Sequence, residues 1–203
     1  INTKLLNYND MEITPRQLEL IEAASRLLTT SGVNGLTIKN LAKEMNFSES
    51  AIYRHFSSKE DIIIAMLHYL AENIDERLAN IPKTENPEDN FRAMFQEQFK
   101  FFSRNSHYVV AVFSDGLLEE SQRINEAMLK LMVVMMKYLM PLLTDGQQKN
   151  IFTNAITNED LVHIAMGAFK LQMYKWRLFN FEFDLNESGN KMIDSILTLI
   201  KSK

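Results

Sequence analysis

The stretch "TIKNLAKEMNFSESAIYRHFSSKED", residues 37–61, sets small hydroxyl and cationic side chains around a few apolar ones. Thr37 is placed to cap one short helix, and Ser48 is placed to cap a second. Asn46 lies between them, where the chain must reverse within about three residues, and Asn tolerates a left-handed backbone better than other non-glycine residues. Two short helices joined in this way have the layout of a helix-turn-helix, whose second helix can enter a DNA major groove.

Capping signals and helical spacing extend an all-α pattern to both sides of this stretch. "TPRQ" at 14–17 predicts the start of a first helix, and Gly32 predicts its end. "SSKE" predicts a capping box, Ser57 with Glu60, that opens a long fourth helix. A linker follows at 81–89, with Asn86 and Pro87 starting the next helix. Further helices are expected at about 88–103, 107–119, 121–143, 159–180 and 187–201.

Composition narrows the class of protein. The 203 residues include no cysteine, which excludes a disulfide framework and a thiolate metal site, and no cofactor is predicted. No uninterrupted apolar run reaches the ~18 residues of a membrane span, so we expect a cytoplasmic protein without a membrane partner. The net charge of −4 argues against binding nucleic acid by bulk attraction. Residues 37–59, however, carry four basic side chains against two acidic ones.

Residues 16–70 resemble the N-terminal domain of the TetR/AcrR (tetracycline-repressor-like) transcriptional regulators. The resemblance rests on Gly32, Thr37, Leu41, Ala42, Ser48, Ile52, Tyr53, His55, Phe56 and Lys59. The stretch "MGAFKLQMYKWRLFNFEFDL", residues 166–185, is more loosely similar to the penultimate helix and exit of many members. The resemblance implies an all-α fold with an N-terminal tail (1–12), a helix-turn-helix DNA-binding domain (13–60) and a larger helical effector-binding and dimerisation bundle (61–203).

The same resemblance implies roles for nine side chains at double-stranded DNA. Those implied to meet base edges are Lys39, Glu49, Ser50 and Tyr53. Those implied to meet backbone phosphates are Thr37, Ser48, Arg54, His55 and Lys59. Glu49 has two interpretations, because a carboxylate facing DNA is useful only if it accepts from a cytosine amino group. It can equally be a favourable charge at a helix N-terminus.

Phe and Met side chains dominate the C-terminal part, with thirteen Phe and twelve Met in the whole chain. One interpretation is a soft, adaptable pocket for an apolar effector. We hypothesise that this pocket is reached by Phe95, Phe99, Met132, Met136 and Met173. The other interpretation is that these stripes are ordinary core.

The last two predicted helices hold more apolar surface than a peripheral pair needs. A four-helix homodimer interface would bury it, and the family resemblance implies such a dimer. The residues expected there are Ile164, Leu171, Trp176, Ile193, Ile196 and Leu197. A twofold dimer would read a pseudo-palindromic operator as a repressor, and a small apolar ligand would release it.

Two alternatives belong to other functional classes. Ser114 and Asp115 with His107 or His163 could be assembled into a catalytic triad, but no nucleophile elbow surrounds Ser114, so no enzyme is predicted. The second alternative is an all-helical ligand-binding or interaction protein with a vestigial DNA-binding head. It differs from the regulator in lacking specific, salt-dependent DNA binding.

Overall fold

A computed structural model describes residues 13–113, 115–117 and 121–202. The predicted tail (1–12) and Ser114 of the rejected triad lie outside the described residues. The helices are α1 (Pro15–Gly35), α2 (Ile38–Met45), α3 (Glu49–Tyr53), α4 (Lys59–Ala79), α5 (Pro87–Arg104), α6 (Val109–Phe113), α7 (Gln122–Gln148), α8 (Asn158–Leu178) and α9 (Leu185–Ile200). Within these ranges, extended pairing is confined to one isolated bridge between Phe152 and Lys201. The predicted all-α class is confirmed.

The capping signals predicted most helix starts correctly. Thr14 and Gln17 form the reciprocal capping box of α1, and Asn86 accepts a hydrogen bond from the backbone N–H of Glu88 at the start of α5. Gly32 does not end α1 but bends it. Its φ of 68° is left-handed, which glycine adopts without strain, and helical structure continues to Gly35.

The cap of α4 lies one residue further along than predicted. Ser58, rather than Ser57, accepts a hydrogen bond from the backbone N–H of Asp61 at 3.1 Å. The Ser58 hydroxyl in turn donates to the Asp61 carboxylate at 2.9 Å. Glu60 is therefore not the capping carboxylate, and its side chain is available for another contact.

The predicted helix over 107–119 is also interrupted. The chain there forms a 3₁₀ turn at Ser106–Tyr108, then α6, then a second 3₁₀ turn at Asp115–Leu117.

The chain divides into two compact units, each made of two separate segments, and the predicted domain boundaries stay a prediction. The first unit contains residues up to Asn73 together with His107–Val133. Its core is aliphatic, and its fully buried side chains include Leu20, Ile21, Leu28, Leu41, Ile52, Ile62, Ile63, Met66 and Leu70. Ile52 anchors α3 in this core, which fixes the opposite face of that short helix toward solvent.

The second unit contains Ile74–Ser106 and Val134–Lys203. Its core is aromatic and centres on Phe169 of α8. The ring of Phe169 lies 5.2 Å from that of Phe99 and 5.7 Å from that of Phe95, centroid to centroid. Gly189 of α9 lies directly against Phe99, because a Cβ at this position would come within 2.4 Å of the ring. The absence of a side chain therefore allows α5 and α9 to approach closely.

Candidate functional site

The helix-turn-helix predicted from residues 37–61 is present in the first unit. Thr37 caps α2 by accepting from the Asn40 backbone N–H at 3.1 Å. Asn46 ends α2 in the left-handed conformation, with φ 54° and ψ 41°. Ser48 then caps α3 by accepting from the Ala51 N–H at 3.2 Å. The turn geometry argued from Asn46 is thus confirmed.

The nine side chains predicted to contact DNA are all exposed or half-exposed. Tyr53 is the clearest case, because 54% of its surface remains open to solvent on the short second helix of the motif. The Ser48 and Ser50 hydroxyls lie 2.9 Å apart and form a small polar cluster at the start of α3. Lys59 is held near the end of α1, with its Nζ 3.4 Å from the carbonyl oxygen of Val33. The individual DNA contacts remain predictions.

An arginine that the sequence analysis did not single out offsets the acidic side chains beside Lys59. Arg123 donates to Glu60 at 2.8 Å and to Asp61 at 2.9 Å, and Ser121 also donates to Glu60. The hydrogen bond to Asp61, followed by the charge of Glu60, raises the pKa of Arg123. We call this arrangement the Arg123 clamp. It balances the charge of two carboxylates that directly follow Lys59 in the sequence.

Four of the five residues predicted to form the effector pocket belong to the second unit and Met132 to the first, and their role in a pocket stays a prediction. Phe95, Phe99 and Met173 are buried in the second unit, and the rings of Phe95 and Phe99 pack against Phe169. Met132 is half-exposed and belongs to the first unit, and Met136 is partly exposed. For the Phe stripe, the interpretation as ordinary core describes the structure better.

A cavity of about 460 Å³ lies elsewhere in the second unit. Apolar side chains from α4, α5 and α7 and from the linker after α4 form most of its wall, namely Leu78, Ile81, Met94, Pro141 and Leu142. Its volume is within the range of small-molecule sites, roughly 300–1,000 Å³. Polar side chains also line it, namely Lys83, Thr84, Asn90, Lys137, Tyr138 and Asp145.

Most of these polar groups are already paired within the chain. Asp75 accepts hydrogen bonds from Lys137 and Tyr138, each at 2.7 Å. Burial alone would raise the pKa of Asp75, but the two hydrogen bonds outweigh it and lower that pKa. Asp145 is paired with Lys149 at 2.8 Å. Lys83 is exposed and forms no ion pair within the described part of the chain, so its charge remains available to a ligand.

Four of the six predicted dimer-interface residues are buried within the chain itself. Trp176 donates from its indole nitrogen to the carbonyl oxygen of Phe183 at 2.9 Å. Ile193, Ile196 and Leu197 are buried in the same way. A side chain covered in the protomer offers little surface to a partner, so the interface role of these four residues stays a prediction without support from their burial.

Ile164 and Leu171, the other two, are exposed on α8. They belong to a stripe with heptad spacing that the sequence analysis did not separate from the buried face of the helix. Its members are Ile164, Gly167, Leu171, Tyr174 and Leu178, and all five are exposed. Leu171 and Leu178 expose 66% and 62% of their surface. A seam with this 3.5-residue period is typical of a helix that packs against another helix. We call it the α8 seam.

By length and composition alone, α7 could cross a membrane, since an 18-residue window has a mean hydropathy of 1.5. Core helices of bundles meet the same criterion. Among the described residues, no group of three or more His, Asp or Glu side chains is arranged to hold a metal ion.

Comparison with known proteins matches residues 20–66 to the sequence profile of the bacterial regulatory proteins of the tetR family. The uncharacterized HTH-type transcriptional regulator YerO of Bacillus subtilis is 27% identical over 114 residues. That match covers 53% of this chain but only 38% of YerO, so the chain spans well under two thirds of that relative.

Two further comparisons extend over nearly the whole chain. The fatty acid metabolism regulator protein of Bacillus subtilis is 19% identical, and the match covers 93% of this chain and 97% of that protein. The crystal structure of the regulator FadR from Bacillus subtilis, solved in complex with stearoyl-CoA, superposes with a TM-score of 0.75 at 16% identity. It covers 90% of this chain and 98% of that one. At this identity the likeness shows the fold.

Proposed function

The chain belongs to the tetR family of bacterial regulatory proteins through its residues 20–66, and from this premise we propose that it is a homodimeric, cytoplasmic repressor. In this proposal it binds a pseudo-palindromic operator and is released by a small ligand with an apolar part. The chain is a transcriptional regulator and not an enzyme. The observation that carries the proposal is the helix-turn-helix with its left-handed Asn46 and its solvent-facing Tyr53.

For DNA recognition, we assign the base edges to Lys39, Ser50 and Tyr53, together with Glu49 where a cytosine amino group is in reach. The phosphate contacts are assigned to Thr37, Ser48, Arg54, His55 and Lys59. Exposure of all nine side chains supports these assignments, since a buried side chain could make neither kind of contact.

Selection of genomic DNA fragments on the purified protein, followed by sequencing, tests DNA recognition directly. We expect one enriched inverted repeat, with half-sites about one helical turn or a little more apart. Tyr53→Ala should abolish this specific binding. Tyr53→Phe keeps the ring and removes only the hydroxyl, so its affinity shows which of the two groups is needed. Absence of enrichment at low and moderate salt would contradict the proposal and favour a ligand-binding protein with a vestigial DNA-binding head.

The dimer is proposed to form through the α8 seam, with a second copy of the chain as its occupant. Two seams related by a twofold axis are self-complementary, because each copy presents the same heptad of apolar side chains. Gly167 lies in the middle of this seam with no atom within 4 Å of where a Cβ would stand. An exposed glycine inside a helix lowers the stability of the protomer. Here the absence of a side chain would allow a partner helix to approach closely.

Leu171→Glu should convert the dimer into a monomer, because it places two carboxylates in a desolvated seam. Leu129→Glu is a matched control, since Leu129 is an exposed leucine on α7 outside the seam. Sedimentation velocity over a dilution series measures the effect. A wild-type protein that remains monomeric at high concentration, or a Leu171→Glu variant that remains dimeric, would contradict the proposed interface.

The cavity lined by Leu78 and Met94 is proposed as the effector site. Its apolar wall accommodates a hydrocarbon chain, and Lys83 places a positive charge beside it. Since the Bacillus subtilis FadR structure contains stearoyl-CoA, we propose an acyl compound with an anionic head as the ligand class. The lysine would then pair with the head while the chain displaces water from the wall.

Binding of this ligand class is measured on the protein alone, without DNA. We expect dodecanoate to raise the melting temperature in proportion to the logarithm of its concentration, and dodecanol to act more weakly. Lys83→Met should remove the preference for the carboxylate, whereas Lys191→Met, outside the cavity, should leave it unchanged. Equal responses of wild type and Lys83→Met to dodecanoate would reject the role of this lysine.

The proposed release mechanism uses α4, which begins at the DNA-contacting Lys59 and carries Leu78 one residue before its end. A ligand that binds better to one position of this helix shifts the population of dimers that fit the operator. Coupling of about 1 to 3 kcal/mol between the two sites is of ordinary size. DNA affinity measured with and without saturating dodecanoate gives this coupling directly.

A further inference from the structure

A hollow of about 240 Å³ lies in the first unit beside α3, which is the proposed recognition helix. It is lined by Phe47 and Ala51 together with three cationic or titratable side chains, Arg16, Arg54 and His55. Arg54 and His55 were assigned to DNA phosphates above. Arg16 comes from the start of α1, was not predicted to contact DNA, and brings a second guanidinium to the same hollow.

Arg16 is oriented by two contacts within α1 and the turn. Its guanidinium lies over the ring of Phe47, 5.2 Å from the centroid, in a cation–π arrangement. It also pairs with Glu19 one turn further along α1. A single ion pair uses only part of the five N–H donors of arginine, and half of the side chain remains exposed. Arg16 can therefore accept a further anion without leaving Glu19.

The start of α1 is also tied to the end of the recognition helix. Gln17 donates from Nε2 to the carbonyl oxygen of His55 at 3.3 Å. This bond joins the residue after Arg16 to the segment that directly follows α3.

The position of the hollow on α3 suits a backbone phosphate rather than a base. Ala51, Arg54 and His55 are spaced by three and four residues, so they share one face of the helical segment. Ser50 and Tyr53, assigned to base edges, occupy the neighbouring face. A helix lying in the major groove has sugar-phosphate strands along its flanks, so a cationic hollow on its flank meets phosphate oxygens.

We propose that Arg16, together with Arg54 and His55, holds one backbone phosphate of DNA in this hollow. The proposal rests on the DNA-binding function proposed above and adds α1 to the elements that contact DNA. Glu19 pairs with Arg16 and moderates its charge. A phosphate contact of this kind strengthens binding to all sequences alike and carries no base preference.

The test compares two arginine variants of the same helix on the duplex recovered by genomic selection. Arg16→Gln removes the proposed contact. Arg26→Gln is the matched control, because Arg26 also lies in α1, pairs with a carboxylate one turn away (Glu22), and is 49% exposed against 50% for Arg16. Affinity is measured between 50 and 300 mM salt. Melting curves of both variants, compared with wild type, check that the fold is intact.

For Arg16→Gln we expect the slope of log K against log salt to become shallower by about 0.9, which is a loss of about eightfold at 0.1 M salt. Arg26→Gln should keep the wild-type slope. In a scan of single uncharged methylphosphonate linkages, one position should weaken the wild type more than it weakens Arg16→Gln, because Arg54 and His55 still contact that phosphate in the variant. Equal slopes for wild type and Arg16→Gln, with specific binding retained, would overturn this inference alone. Failure of the wild type to bind any selected duplex would instead reject the proposed function.

Discussion

Replacing Gly167 by alanine should stabilise the protomer and weaken the dimer. Within the protomer the new methyl group meets nothing within 4 Å, and alanine is about 0.8–1 kcal/mol better than glycine inside a helix. In the proposed dimer the same methyl group enters a close helix contact, where overpacking costs about 1–3 kcal/mol. At about 1 kcal/mol for each of two copies, the dimer dissociation constant rises by roughly 30-fold.

Sedimentation over a dilution series gives the dissociation constant of the wild type and of Gly167→Ala. Urea unfolding at concentrations where both proteins are monomeric gives the stability of the protomer separately, because dimerisation otherwise contributes to apparent stability. An unchanged or tighter dimer in Gly167→Ala, combined with the expected gain in protomer stability, would refute close helix contact at this glycine. The α8 seam would then have to pack with a wider separation than proposed.

Three further predictions concern the fold. Ser58→Ala should destabilise the protein by about 1 kcal/mol in urea unfolding, whereas Ser57→Ala should have almost no effect; equal effects would contradict the observed cap. Gly189→Ala should lower the free energy of unfolding by about 1–3 kcal/mol, because the added methyl group clashes with Phe99. A melting temperature at or above that of the wild type would contradict this and show that α9 can shift to accommodate the methyl group. Hydrogen bonds lower the pKa of Asp75 in the folded protein. The stabilisation that ionised Asp75 gives the fold is therefore present above its unfolded pKa of about 4, and it is lost as the pH falls through the folded pKa. The stability difference between wild type and Asp75→Asn should therefore shrink on acidification from pH 5; a difference that stays constant to pH 2 would contradict this account.

Local sequence signals predicted the helix-turn-helix well because its determinants are local. Thr14, Thr37 and Ser48 cap the helices that they were expected to cap, and Asn46 adopts the expected left-handed turn. Local signals could not decide between Ser57 and Ser58 at the start of α4, because either serine can cap a helix.

Which side chains are buried between distant segments could not be predicted from local sequence. In α8, a buried stripe and the exposed heptad seam overlap in sequence, so hydrophobic spacing alone could not tell Trp176 from Leu178. The Phe stripe of α5 looked suitable for a pocket, but whether such a stripe encloses space depends on what packs against it, here Phe169. Arg123 had no local signature either, since 62 residues separate it from Asp61.

In a genetic screen, substitutions of Arg123 should behave like substitutions in the helix-turn-helix. Loss of Arg123 removes the cation paired with Glu60 and Asp61 beside the proposed DNA surface, so a change at the start of α7 should produce the phenotype of a damaged recognition motif. A carboxylate-to-amide change at Glu60 or Asp61 would suppress it. Alleles that map far apart in the gene would thus share one phenotype. The altered charge beside Lys59 would explain that phenotype without a change in the fold.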